Sequence, residues 1–350
     1  MSESRFYHVS RSGKLARIAN LELAMAASKK GGFIWLDYCE PTRADLQPLV
    51  EALGIHPLCV EDCTDDRQLP KLDDYPGNTF ILFNVFDFAD GQLSIGELDL
   101  ILGEDFLVSV AGRDPLGRPV LSDVERMVEQ NLDSSRLGPS FLMHVILDRI
   151  VDRKFVAVEA LEEKLDRAEE SLLADVSRFN PADLVSLRRD LLAVRKSLFH
   201  EREILVKLCR KDCPYVSEKA IFHYRDVYDH LAKFLELTET FREVVTSLME
   251  MYLSMVNNQM ARLANETNIT VRRLTLITTI FMPLTLLAGI GGMSEWSMMT
   301  GPQNWWISYP IFCLAMAGIA VGNYYLLLWL EKTDASPEPA PQPAMQKTRP

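Results

Sequence analysis

Basic residues are the first thing this chain is short of. Its 350 residues hold 37 Lys and Arg against 49 Asp and Glu, a formal net charge of −12. A nucleic-acid binder needs a basic face, so that class is excluded, and the acidic balance suits a protein that meets cations. Cysteine is also scarce. Six in 350 residues exclude a small disulfide-stapled scaffold. The two CxxxC spacings, Cys59/Cys63 and Cys209/Cys213, are wider than the paired ligands of structural zinc sites and read as packing. Catalytic motifs are missing: there is no phosphate-cradling glycine loop, no HExxH and no GxSxG. His8, His56, His144, His200, His223 and His230 are dispersed and form no ligand cluster in sequence. The chain therefore does not read as an enzyme. Its first thirty residues carry scattered charges (Glu3, Arg5, Arg11, Lys14, Arg17) and lack an apolar core of signal length. The soluble part is accordingly expected in the cytoplasm, with reduced thiols.

Charge itself is absent from two stretches, Leu274–Ser294 (21 residues) and Trp296–Leu330 (35 residues). A helix needs about 20 apolar residues to cross the hydrocarbon core, so two membrane spans are predicted. Trp305, Trp306 and Tyr309 at one edge of the second span and Trp329 at the other match an aromatic belt. Arg272 and Arg273 precede the first span, Lys332 follows the second, and the connection carries only the acidic Glu295. The positive-inside rule places both termini in the cytoplasm and the connection outside.

Glycine and proline are missing from Tyr215 to Met282, 68 residues in a row. One continuous helix of that length would reach roughly 100 Å and must pack on partners. Ser217 is its expected N-cap. Apolar residues recur at helical spacing through Ile221, Val227, Leu231, Phe234, Leu237, Phe241, Val244, Leu248, Tyr252 and Met255. Pro139–Phe179 and Pro181–Lys211 are two further helices, the latter with Asn180 as N-cap and Pro181 at its first position. The first 115 residues differ. Phe33–Asp37, Thr79–Phe88, Glu97–Leu102 and Phe106–Val110 read as strands, and Ala44–Leu53 as a helix. The tail after Asp334 holds five prolines and few apolar side chains and is expected to be disordered.

Three segments resemble one family, the CorA-type divalent-cation channels. FMPLTLLAGIGGM (Phe281–Met293) resembles the end of that family's pore helix, which closes on Gly-Met-Asn. HPLCVEDCTDDRQLPKLDDY (His56–Tyr75) is similar to a cytoplasmic block, and RDVYDH (Arg225–His230) with ETFREVV (Glu239–Val245) to the stalk helix. The resemblance implies an α+β membrane protein. Its expected parts are an α/β/α cytoplasmic domain (1–138), a helical stalk or funnel (139–272), a pore-lining transmembrane helix (273–294), an outer loop (295–304), a second transmembrane helix (305–330) and the tail (331–350). It also implies a homopentamer in the lipid bilayer of the cell (inner) membrane, with no covalent cofactor and with divalent cations as substrate and regulator. Mg²⁺ leads, with Co²⁺, Ni²⁺ and Zn²⁺ as further candidates.

The signature departs from the family's at one place. The chain reads Gly292, Met293, Ser294, preceded by Gly291 where the family usually has an aromatic. A ring of acceptors can hold the water shell of Mg²⁺, which dehydrates reluctantly; a Ser hydroxyl makes a wider and weaker ring than an Asn amide. From Tyr252–Ser254 to the pore the chain is also about one heptad longer than the family pattern, which preserves helical phase. Stepping by three and four residues, Leu274, Thr278, Met282, Thr285 and Gly289 would line the pore, and Glu295 would form an acidic ring at its outer mouth. Asn257, Asn258, Asn265 and Asn268 lie toward its cytoplasmic end. By position, Asp62 and Asp226 match the family's regulatory carboxylates, with Glu61 and Asp229 near enough to help, and an inter-helix salt bridge through Arg225 or Lys219 is the plain alternative. Two other functions stay open: a proton-coupled zinc transporter of a related branch, and a non-conducting membrane sensor or scaffold.

Overall fold

The computed structural model describes residues 3–11, 14–65, 68–123, 126, 128, 138–210, 213–292, 301 and 303–334. The chain divides into two units, Met1–Ser254 and Met255–Pro350.

The first unit is built on a seven-stranded sheet with strands β1 (Glu3–Val9), β2 (Leu15–Ile18), β3 (Phe33–Cys39), β4 (Lys71–Tyr75), β5 (Asn78–Ala89), β6 (Gln92–Leu102) and β7 (Phe106–Ala111). Their order is β2-β1-β3-β7-β6-β5-β4, antiparallel throughout except for the central β3–β7 pair. The four expected strands are there, three of them one or two residues longer than their apolar runs, while β6 begins at Gln92, five residues before the expected Glu97. β3, FIWLDYC, is buried at every residue, as a strand covered on both faces must be. β5 and β6 form a long hairpin whose turn residues Asp90 and Gly91 both have positive φ (52° and 74°), the twist that two-residue hairpins favour.

One face of the sheet packs Ile34, Leu36, Phe80, Leu82, Ile101 and Val108 against Ala24, Leu46, Leu49, Cys59 and Val60. Those last residues come from α1 (Leu21–Ser28), α2 (Arg43–Leu53) and α3 (Pro57–Asp62). α2 begins with a Thr42/Asp45 capping box and ends on left-handed Gly54 (φ 68°). By strand alternation Trp35 and Asp37 point the other way. Trp35 Nε1 donates to Ser109 Oγ at 2.9 Å, Ser109 Oγ donates to Asp37 Oδ1 at 2.7 Å, and Arg5 donates to Asp37 Oδ2 at 2.5 Å. Two long helices, α4 (Pro139–Ala174) and α5 (Pro181–Cys209), contact this sheet through β3 to β7, which completes an α/β/α sandwich.

α5 starts as expected, with the Asn180 side chain accepting from the Ala182 amide. α4 stops at Ala174 rather than Phe179, because the Asp175 carboxylate takes the Ser177 amide at 2.9 Å and turns the chain. Inside this layer lies a fully buried ion pair. Lys154 Nζ donates to Glu201 Oε1 and to the Asn84 carbonyl, each at 2.5 Å, and neither charged side chain reaches solvent. Glu201 Oε1 also accepts the Asn84 amide at 2.8 Å. A buried pair of this kind is stable only while both partners and their hydrogen bonds are present.

The Gly- and Pro-free run becomes α6 (Ile221–Gly291), a single helix of 71 residues. Ser217 does not cap it. Its carbonyl closes a preceding turn with the Ala220 amide, and its own amide donates to Ser140 Oγ of α4. The buried stripe runs Leu231, Phe234, Thr238, Phe241, Val245, Leu248, alternating steps of three and four as in a left-handed coiled coil. Thr238 and Val245 thus displace Leu237 and Val244 from the expected stripe. Thr238 can be buried because its hydroxyl donates to the Phe234 carbonyl at 2.7 Å.

The second unit holds the rest of α6 and α7 (Trp305–Asp334). Both helices contain windows of mean hydropathy 1.9, long and apolar enough to cross a membrane. The first ends at Gly291 and the second continues past Leu330 to Asp334. Pro283 lies inside α6 and has no amide to give the Thr279 carbonyl one turn back. Where the unit's two helices meet, a β-carbon at Gly291 would stand 2.8 Å from Phe312 Cζ.

Candidate cation path and cation-binding carboxylates

Leu274, Thr278, Met282, Thr285 and Gly289 lie along the membrane half of α6, all solvent-exposed. Met282, Thr285 and Gly289 share one groove with Pro283, Leu286 and Ile290. The threonines show how a charge-free stretch of helix can address a cation. Thr278 Oγ1 donates to the Leu274 carbonyl and Thr285 Oγ1 to the Phe281 carbonyl, both at 2.8 Å. Each hydroxyl proton is thereby committed to its own helix, and the oxygen faces outward as an acceptor. Acceptors are what a hydrated cation requires, since its shell presents only O–H donors.

Gly292 closes the helix through its amide to the Ala288 carbonyl at 3.0 Å. Met293 and Ser294, the other two residues of the expected filter, and Glu295 lie outside the described residues, as do 335–350 of the tail. The departure at Gly291 has a steric reason inside this chain. The ring of Phe312 from α7 occupies the space that a side chain at 291 would need. Asn257, Asn258, Asn265 and Asn268 are exposed on α6.

The carboxylates of the first unit divide into two groups. Asp62, the last residue of α3, is held by Lys71 of β4 at 2.8 Å. The salt bridge thus comes from β4 and not from Arg225 or Lys219. Glu61 beside it is exposed. Behind Asp62, Asp99 of β6 is only 4% exposed and its Oδ1 has no hydrogen-bond partner. Burial, then the charges of Glu97 and Asp62, push its pKa well above the usual carboxylate range. Asp226 and Asp229 are exposed on α6, Asp226 with its Oδ2 4.0 Å from His230 Nε2. Sequence reasoning missed a neighbour, Asp148 of α4, whose pKa is raised by burial and then by Asp152 and Asp226. Its signal was the i, i+4, i+8 spacing of His144, Asp148 and Asp152, one polar line along α4. Among the described residues no three His, Cys, Asp or Glu side chains stand close enough to share one ion, so a single chain does not unite Asp62, Glu61, Asp226 and Asp229 in a cage.

Known proteins match this architecture along nearly its whole length. The profile of the CorA-like Mg²⁺ transporter protein family matches residues 30–331. The cobalt/magnesium transport protein CorA of Thermotoga maritima is 32% identical over 291 residues, covering 82% of this chain and 80% of that protein. Among solved structures, the complete CorA magnesium transporter of Methanocaldococcus jannaschii aligns with a TM-score of 0.65 at 22% identity, over 92% of this chain and 96% of its own. The full-length CmaX protein aligns with a TM-score of 0.67 at 19% identity, over 93% and 97%. An acidic α/β/α unit joined by one unbroken helix to two charge-free spans is thus accounted for: the chain belongs to the CorA-like Mg²⁺ transporter family, membrane transporters of divalent metal ions and not enzymes.

Proposed function

We propose that the chain forms a homopentameric channel in the cell (inner) membrane that passes hydrated Mg²⁺, with Co²⁺ and Ni²⁺ as further substrates. In this reading residues 1–138 and 139–272 are cytoplasmic, the spans are 273–294 and 305–330, and 295–304 face outward, so both termini are cytoplasmic. The observation that carries it is the pair of outward acceptors, Thr278 and Thr285, on the charge-free stretch of α6 that begins at Leu274. One chain's two spans cannot enclose water, so copies of this face must surround the path. Leu274 and Met282 form apolar constrictions that close by dewetting. Gly289 widens the path toward a filter of Gly292, Met293 and Ser294, and Glu295 gathers cations at its mouth.

Gating follows from cytoplasmic cation binding. Asp226 projects from α6 with its side chain 71% exposed, and Asp62 carries the displaceable Lys71. A divalent ion bridging such acids on adjacent subunits, helped by Glu61 and Asp229, would cancel their repulsion and hold the ring shut. The test is flux of Mg²⁺, Co²⁺ and Zn²⁺ into proteoliposomes with and without a pH gradient, alongside particle mass in nanodiscs. Pentamers with Mg²⁺ flux indifferent to the gradient are expected. Gradient-driven Zn²⁺ flux would move the chain to a proton-coupled branch, and a monomer or silent ring would end the channel reading.

A further inference from the structure

His144 of α4 and His223 of α6 sit with ring centroids 5.0 Å apart and ring planes at 52°. Far apart in sequence, they are brought together by the packing of two helices. His144 is 8% exposed and its Nδ1 has no hydrogen-bond partner. A buried polar atom left unpaired costs about 1–3 kcal/mol, so its retention calls for a partner that is not protein. Phe141 (5.5 Å) and Tyr224 (5.8 Å) wall in the His144 ring, and the Tyr224 hydroxyl is itself tied to the Ser140 carbonyl at 2.5 Å. The ring is therefore locked in place. His223, in contrast, is exposed and free to turn about its side-chain bonds.

We propose that His144 and His223 form a two-nitrogen binding site for a borderline transition cation, of the Co²⁺, Ni²⁺ or Zn²⁺ class, with water completing its shell. Two imidazoles sharing one tetrahedral ion at ~2.0–2.1 Å per bond bring their centroids to about 5 Å, the separation found here. Imidazole suits these ions, whereas Mg²⁺ prefers oxygen. Burial, reinforced by His223, lowers the His144 pKa to about 4, so the ring is neutral and its lone pair available at neutral pH. Asp148 and Asp152 on α4, and Asp226 and His230 on α6, share this helix pair, and Asp226 makes the field at His144 more negative. With only two protein ligands the site is open and exchangeable, as a sensor requires. Its coupling to gating would run through Asp226 and rests on the reading above; the site itself does not.

The competing account is aromatic packing alone, since Phe141 also lies 5.1 Å from His223. His223→Phe separates the two, because it keeps a ring and removes the nitrogens at an exposed position where folding is not at risk. The experiment is titration of the purified full-length protein with CoCl₂ under excess MgCl₂, read by the visible d–d absorption of nitrogen-ligated Co²⁺. Wild type is expected to saturate at one Co²⁺ per chain despite the Mg²⁺, and His223→Phe to lose the band or bind at least about tenfold more weakly. His144→Phe should do the same, and Asp62→Ala should keep the band. No band in wild type, an unchanged band in His223→Phe, or loss in Asp62→Ala would overturn the assignment. A protein that conducts nothing or ignores Mg²⁺ but keeps the His-dependent band would retire the gating reading and leave this site standing.

Discussion

The two halves of α6 obey the same helical geometry and meet opposite fates. Leu231, Val245 and Leu248 are 0%, 0% and 3% exposed, while Leu274, Met282 and Leu286 of the same helix are 64%, 71% and 66% exposed. Leucine content does not make this difference, since both halves are rich in leucine. The N-terminal half keeps its apolar residues to one stripe and charges the rest, as a helix does that packs on one side against protein and on the other against water. The membrane half is apolar all round, as a helix is that meets lipid or its own copies. A stripe announces a partner within the chain; a continuous apolar surface announces one outside it.

The largest effect should come from breaking this contrast at its buried end. Leu231→Ala is expected to destabilise the first unit by about 2–5 kcal/mol, and Leu274→Ala to leave that unit's unfolding midpoint unchanged while altering cation flux. Denaturant unfolding followed by tryptophan fluorescence of Trp35, which is 1% exposed, would measure the first. Equal unfolding shifts from the two substitutions would erase the distinction.

Next in size is the crossing of α6 and α7. Gly291→Phe places a ring where Phe312 already stands, an overpacking worth about 1–3 kcal/mol. We expect weakened assembly in nanodiscs and recovery in Gly291→Phe with Phe312→Ala. A single variant that assembles like wild type would show that the two rings slide past one another.

The smallest effect tests the acceptor stripe. Thr278→Val preserves shape and removes one acceptor, a hydrogen bond worth about 0.5–1.5 kcal/mol, so flux should fall a few-fold. Thr278→Ser, which keeps the hydroxyl, should stay near wild type. Flux assays at matched protein density decide, and equal rates for Val and Ser would remove the side chain from the conduction path.

Legibility in the sequence followed the same divide. Membrane spans could be read from the absence of charge, and the four inner strands from their apolar runs. The β1–β2 hairpin was not legible, because Arg5 and His8 of β1 and Arg17 of the edge strand β2 interrupt the apolar signal. Lys154 and Glu201 look like any charges on a solvated helix, and only tertiary packing turns them inward. Asp62 was legible as a candidate, but its partner Lys71 arrives from a separate strand, which spacing within a helix cannot reveal. His144 and His223 read as dispersed along the chain, and their 5.0 Å ring approach comes from the packing of two helices, which spacing in sequence does not reveal.

Pro283 gives the long helix a mechanical character beyond its length. Pro283 has no amide to offer the Thr279 carbonyl, and that missing bond makes one turn of the helix more compliant than its neighbours. Bending strain concentrates at such a joint as it does at a notch in a beam. The helix then acts as two stiff levers on one soft pivot, and the lever beyond the pivot is only as long as Pro283 to Gly291. A short outer arm turns a given angular change into a small displacement at its far end, where Gly291 lies against Phe312.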